Sequence, residues 1–194
     1  MRTSSHIYLE KKVRNWIAND ELRFIALKTA ATLNLPQWCI AAGFVRNLIW
    51  DKLHGHDSAT PLSDIDMIYF NKEDTSEETD KKYEDKLKAI SPLSWSVKNQ
   101  ARMHNKIHVS PYESTLDAMS FWPEIETAIG AYLNPQGDIG IITPFNLEQQ
   151  VSTTVTVNSR HPSPNTALLR AKEKGWLTLW PELKIHTHNA EVTS

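Results

Sequence analysis

Sulfhydryl chemistry is almost missing from this sequence of 194 residues, in which Cys39 is the only cysteine. One thiol excludes an intrachain disulfide and a cysteine-built metal cluster. Cys39 stands in the apolar run WCIAA, where it reads as a small buried hydrophobe, with a reactive thiol as the other role. Excess charge is lacking too, because 21 Lys and Arg face 23 Asp and Glu for a net charge of −2. Nucleic acid selects basic surfaces, so this balance disfavours long nucleic acid as a partner, although a small basic patch would escape the count. No apolar run approaches the roughly 20 residues of a membrane helix, and the start MRTSSHIYLEKK has no signal-peptide core. The expectation is a cytoplasmic protein with no membrane partner. Internal repeats and low-complexity segments are absent as well.

Material for a core is ample, with 40% hydrophobic residues and seven tryptophans. Length fits one domain over residues 1–185, with helices in 1–35, a last helix in 160–185 packed on the rest, and a disordered tail HTHNAEVTS over 186–194. Periodicity predicts a helix from about His6 to Ala18. A second, capped by Asp20, turns Leu22, Ile25, Ala26, Ala30 and Leu33 to one face. Trp38 to Ala42 reads as a short strand, followed by a turn at Gly43 and a helix carrying Val45, Leu48, Ile49 and Leu53. Thr75-x-x-Glu78 reads as a capping box ahead of a helix with Tyr83, Leu87 and Ile90 inward. Leu93 to Asn99 alternates as a strand, and Thr127 to Leu133 with Asp138 to Thr143 form a hairpin across Asn134-Pro135-Gln136-Gly137. Pro144 ends that strand, Thr143 or Asn146 starts a short helix, and Ser163-Pro164 opens a last helix through Lys174. Trp176 and Trp180 suit a helix docked on the core better than a platform for adenine.

The chemistry-bearing pattern is SDIDMIYF. On a strand from Ile65 to Phe70, side chains alternate, so Asp64 and Asp66 share one face while Ile65 enters apolar packing. Adjacent like charges on a strand are costly, and a divalent cation offsets that cost. Hard oxygen ligands suit Mg2+ or Mn2+, ions that bridge carboxylates to phosphates. The alternative is a solvated loop end. Upstream, Gly43 lets a ligand approach the main chain, and free amides at the start of the next helix attract phosphate. Arg46, one turn in, adds a charge-assisted bond to the same anion or is a cation on the helix surface. Ser63 lies near the phosphates or simply opens the strand.

From Ala42 to Ile68 the sequence resembles the DNA polymerase beta-like nucleotidyltransferase superfamily, whose pattern is a glycine and a small residue followed by a D-h-[DE]-h strand. AGFVRN is similar to the GGxVRD turn of the tRNA-nucleotidyltransferase and poly(A) polymerase head domain. SDIDMIYFN, WSVKNQARMH, PYESTLDAMSFWPE and WLTLWPELKI extend the likeness from Cys39 to Ile185, towards a bacterial nucleotidyltransferase-like family of unassigned substrate. The resemblance implies an α+β nucleotidyltransferase fold, a small mixed sheet flanked by helices. It implies a catalytic metal site at Asp64 and Asp66, with Gly43, Arg46 and Ser63 near the phosphates. The implied reaction moves a nucleoside monophosphate from a nucleoside triphosphate to a hydroxyl on an unknown small molecule or protein, releasing pyrophosphate.

Two departures from the family pattern stand out. The glycine pair reads as Gly43-Phe44, which puts a ring where a small residue lets phosphate sit close. The superfamily's third acid lies on a neighbouring strand, and here that strand, LSWSVKNQ, offers Asn99. An amide orients substrate but is a very weak base. Asp117 reads as part of a helix cap begun by Ser114, and Asp138 as a turn residue, so neither is assigned as the third carboxylate. Lys98 and Arg102, if they face the cleft, neutralise the triphosphate or pyrophosphate beside Asn99; otherwise they belong to a polar loop. Little chain follows Ile185, so polymerisation on RNA is not expected. Other readings are a nucleotide-binding protein with weak or no activity, and an interaction module of a regulatory pair. The histidine pairs His104/His108, His54/His56 and His186/His188 lack partners to complete a metal set.

Overall fold

The computed structural model describes residues 4–187. Helices α1 (Ser4–Ala18) and α2 (Glu21–Ala31) lead into strand β1 (Cys39–Ala41), helix α3 (Gly43–Leu53), strand β2 (Ile65–Tyr69), helix α4 (Glu77–Ile90) and strand β3 (Trp95–Asn99). After a 3-10 turn (Gln100–Arg102) come α5 (His104–Ile107), α6 (Thr115–Met119), β4 (Gly130–Leu133), β5 (Ile139–Ile142) and α7 (Leu147–Gln150). The described chain closes with β6 (Thr154–Thr156), α8 (Asn165–Glu173), α9 (Trp176–Leu179) and β7 (Lys184–His186).

Five strands make a mixed sheet in the order β3-β2-β1-β4-β5, and β6 pairs with β7 in a separate ribbon. β1 runs antiparallel to both of its neighbours, whereas β2 and β3 are parallel, with Asp66 opposite Ser96. A parallel pair needs a crossover, and α4 supplies it. The result is an α+β fold, a small mixed sheet flanked by helices.

Alternation along the strands splits the apolar residues between two layers. Ile40, Met67, Val97 and Ala131 join Val13, Ile17, Leu27 and Trp50 in the main core, whereas Cys39, Ala41 and Ile68 pack on the opposite face with Met119 and Ala128. Each large side chain so buried contributes about 1.5–3 kcal/mol. Cys39 is fully buried, and burial pushes its thiol pKa up, which disposes of the reactive-thiol alternative.

Four local expectations shift by a residue or a phase. In α2 the buried face is Arg23, Ala26, Leu27 and Ala30, while Leu22 and Ile25 are 44% and 47% exposed. Arg23 takes the inward position because Asp20 pairs with it and its Nε donates to the Phe44 carbonyl at 2.7 Å. The cap of α4 is Ser76 rather than Thr75: its hydroxyl accepts from Thr79 N, and Asp74 accepts from the Ser76 amide and hydroxyl and from the Thr79 hydroxyl. On that helix Leu87 is buried and Ile90 is exposed. The tail yields its first residue, His186, to β7, whereas His188 lies outside the described residues.

Asp51, near the end of α3, ties three parts of the chain together. Its carboxylate accepts from the Thr60 amide and hydroxyl at 2.8 and 2.6 Å, from Trp180 Nε1 at 2.8 Å, and meets His56 Nδ1 at 3.1 Å. The loop that leads into Asp64 and the helix that faces it across the cleft therefore share one anchor.

Candidate active site

Asp66 on β2 faces away from the main core, and Asp64, just ahead of the strand, lines with it a cavity of about 330 Å3 that also holds Gly43, Arg46, Ser63 and Lys174. Ser63 Oγ donates to Asp64 Oδ1 at 2.9 Å, which orients the exposed carboxylate. Burial first, and repulsion from Asp64 second, raise the pKa of Asp66, while a hydrogen bond from Ser96 and the charges of Lys174 and Arg170 act the other way. A half-buried pair of like charges is the arrangement a divalent cation relieves.

The turn ahead of α3 differs from the Gly43-Phe44 expectation. Phe44 is 1% exposed and packed in the main core, so no ring crowds the cavity. The residue with left-handed backbone is Ala42, at φ 57° and ψ −125°, and the close-approach pair is therefore Ala42-Gly43. No side chain caps this end of α3, which leaves its first amides without helical partners at the cavity wall. An alanine held at positive φ is strained by about 1–3 kcal/mol. Ala42→Gly should raise the unfolding free energy by about 1 kcal/mol in urea titrations. A lower denaturation midpoint would mean that the methyl group packs better than the strain costs.

Arg46 is buried, not a surface cation. Its guanidinium lies 4.9 Å from the Trp50 ring and 4.3 Å from the Trp176 ring, and donates to Thr127 Oγ1 and Asn47 Oδ1, both at 2.8 Å. Burial brings its pKa down to about 10. Trp176 and Trp180 are themselves buried and meet Trp50 edge-on at 5.4 and 5.0 Å between ring centres.

On β3 the residues facing the cleft are Ser96 and Lys98, and both line a second cavity that also touches Asp66. Asn99 points the other way, with Trp95 and Val97. It is fully buried, its side chain donates to the carbonyls of Asn71 and Asp74 at 2.7 and 2.8 Å, and it accepts from Ala101 N at 3.0 Å. Arg102 is likewise turned from the cleft, paired with Asp80. Asp80 also accepts from Tyr69 Oη at 2.7 Å and from Asn99 N at 3.1 Å, so Asn99 and Arg102 serve a polar network behind the sheet rather than a nucleotide.

Asp117 and Asp138 hold structural posts. Asp117 accepts from Glu113 N while Ser114 Oγ accepts from Asp117 N, and Asp138 bonds across the hairpin turn to Asn134. His54 and His104 spend ring nitrogens on carbonyls at 2.8 and 3.0 Å. Among the described residues, no three His, Cys, Asp or Glu side chains converge as a metal cluster, and no helix is long and apolar enough to cross a membrane.

Comparison with known proteins adds to this geometry. Residues 28–185 match a family described as nucleotidyltransferase. The chain belongs to that family. A solved NMR structure, described as revealing a CCA-adding enzyme head domain, aligns with a TM-score of 0.79 and 30% identity over 91% of this chain and 95% of that one. No curated protein matches the chain.

Four polar residues of this nucleotidyltransferase that lie outside its sequence motifs also surround Asp66. Ser96 and Thr127 line the second cavity, Lys174 the first, and Arg170 both. Arg170 is aimed by Glu124, a carboxylate 1% exposed that accepts from its Nε at 2.9 Å. Arg170 and Lys174 are one helical turn apart, a signal visible in LLRAKEK once that helix is known to face the D-x-D strand.

Proposed function

We propose that this nucleotidyltransferase moves a nucleoside monophosphate from a nucleoside triphosphate to an acceptor hydroxyl, with release of pyrophosphate. The observation that carries this reading is that Asp64 and Asp66 line one cavity with the start of α3, Arg170 and Lys174. The paired carboxylates fit Mg2+ or Mn2+, since hard oxygens are the donors and their mutual repulsion needs a counter-charge. When bound, that ion supplies neutralisation of phosphate charge and a more acidic acceptor hydroxyl. Arg170 and Lys174 balance the charge of the departing pyrophosphate, and the α3 amides hold phosphate oxygens. Ser63 and Ser96 orient the two carboxylates. Most of the barrier reduction in such a transfer comes from positioning and electrostatics, which this arrangement provides.

The test is incubation with each labelled triphosphate, magnesium or manganese, and a cell extract, beside an Asp64→Asn/Asp66→Asn double variant. Label should reach an acceptor only with the parent protein. Equal labelling by both proteins would remove this site from the reaction. A second reading, nucleotide binding with little transfer, draws on the cleft face of β3, which carries Ser96 and Lys98 and no acid. Metal-dependent triphosphate binding without pyrophosphate release would favour it.

A further inference from the structure

Asp66 forms part of two cavities. The first holds Gly43, Ser63 and Lys174 and has the chemistry of a phosphate site. The second, of about 410 Å3, shares only Ala42, Asp66 and Arg170 with it. Its remaining wall is of another kind. Tyr112 and Phe121, 5.4 Å apart between ring centres, line it together with Trp122 and with the exposed residues Lys98 and Lys106. Asp66 is the only carboxylate among its lining residues. In-line transfer puts the attacking oxygen opposite the leaving oxygen. With the triphosphate tail in the first cavity, the attacking group arrives from the second.

We propose that the second cavity is the acceptor site, and that the acceptor is a small molecule with a flat aromatic body, a carboxylate or phosphate, and a hydroxyl directed at Asp66. The reaction role rests on the transfer reading above; the binding of such an anion does not. Aromatic walls select a ring by face and edge contacts, and the two lysines select the anion. A volume in this range encloses a small molecule and is too small for a folded partner. In the step itself, the acceptor oxygen forms a bond to the α-phosphorus and the bond from that phosphorus to the bridging oxygen breaks. Pyrophosphate leaves with the electron pair, and the hydroxyl proton passes to bulk water.

The experiment is calorimetric titration of the metal-free, nucleotide-free protein with 4-hydroxybenzoate, and with neutral 4-hydroxybenzamide as control. The anion should bind at least tenfold more tightly than the amide. Lys98→Ala/Lys106→Ala should weaken it tenfold or more with an unchanged melting curve, whereas Lys174→Ala, in the other cavity, should leave it unaffected. Magnesium and an α,β-methylene triphosphate analogue should leave the anion affinity equal or higher. Equal binding of the amide, indifference to the two lysines, or no binding at all would overturn the proposal. Competition with the triphosphate analogue would also overturn it, and would give the cavity to the nucleobase. Failure of transfer in the labelling experiment would not alter these titrations, so the two ideas fall separately.

Discussion

Substituting Asn for both Asp64 and Asp66 is expected to lower transfer by at least about a thousandfold while raising the melting temperature of the metal-free protein. The loss follows from removing two charges that hold the cation, when removal of even one electrostatic stabiliser costs roughly a hundred- to thousandfold in rate. The gain in stability follows from the raised pKa of Asp66, caused by burial and then by Asp64. A carboxyl whose folded pKa exceeds its unfolded value favours the fold while protonated. That contribution is present below about pH 4 and is lost as the pH rises through the folded pKa. At neutral pH without metal, the ionised pair is therefore a penalty, and the neutral amides lift it. Melting curves in chelator should separate parent and variant most at neutral pH and bring them together in acid. Magnesium should then stabilise the parent alone. A variant that melts lower at neutral pH would make the two aspartates structural.

Asp80→Ala should be the costliest single change behind the sheet, at about 3–5 kcal/mol in chemical denaturation, because it leaves Arg102 as a nearly buried cation without its main partner. It also strips the acceptor from Tyr69 Oη and Asn99 N. The pair as such is a different matter. Asp80→Leu combined with Arg102→Met should recover most of the loss, since burying two charges costs about as much as their attraction returns. A double variant no more stable than Asp80→Ala would shift the weight to the Tyr69 and Asn99 bonds.

The period of two in SDIDMIYF pairs Asp64 with Asp66, because alternation needs no knowledge of neighbours, and both line one cavity. Asn99 and Arg102 required more. Which residues of β3 face the cleft depends on its register with β2, where Asp66 meets Ser96, and the sequence of β3 alone does not contain that register. The turn before α3 lies one residue away from where the sequence suggests it, because a positive φ is expected of glycine, and here alanine holds it. Arg23 shows the same limit in a helix. An arginine reads as outward until Asp20 and the Phe44 carbonyl are known to meet it inside. Arg170 and Lys174 join the site through the tertiary placement of α8, and Glu124 reaches Arg170 from the stretch between α6 and β4; no local pattern encodes either placement.

The bond from Trp180 to Asp51 spans 129 residues of sequence. Arg170, Lys174 and the Trp176 ring that stacks on Arg46 come from the same late stretch of chain. On a translating ribosome, the sheet and its carboxylate pair emerge first, and the opposing wall follows only after all five strands of the sheet have been made. Until then a nascent chain carries an open, unanchored half-cleft, and its closure waits for α8 and α9.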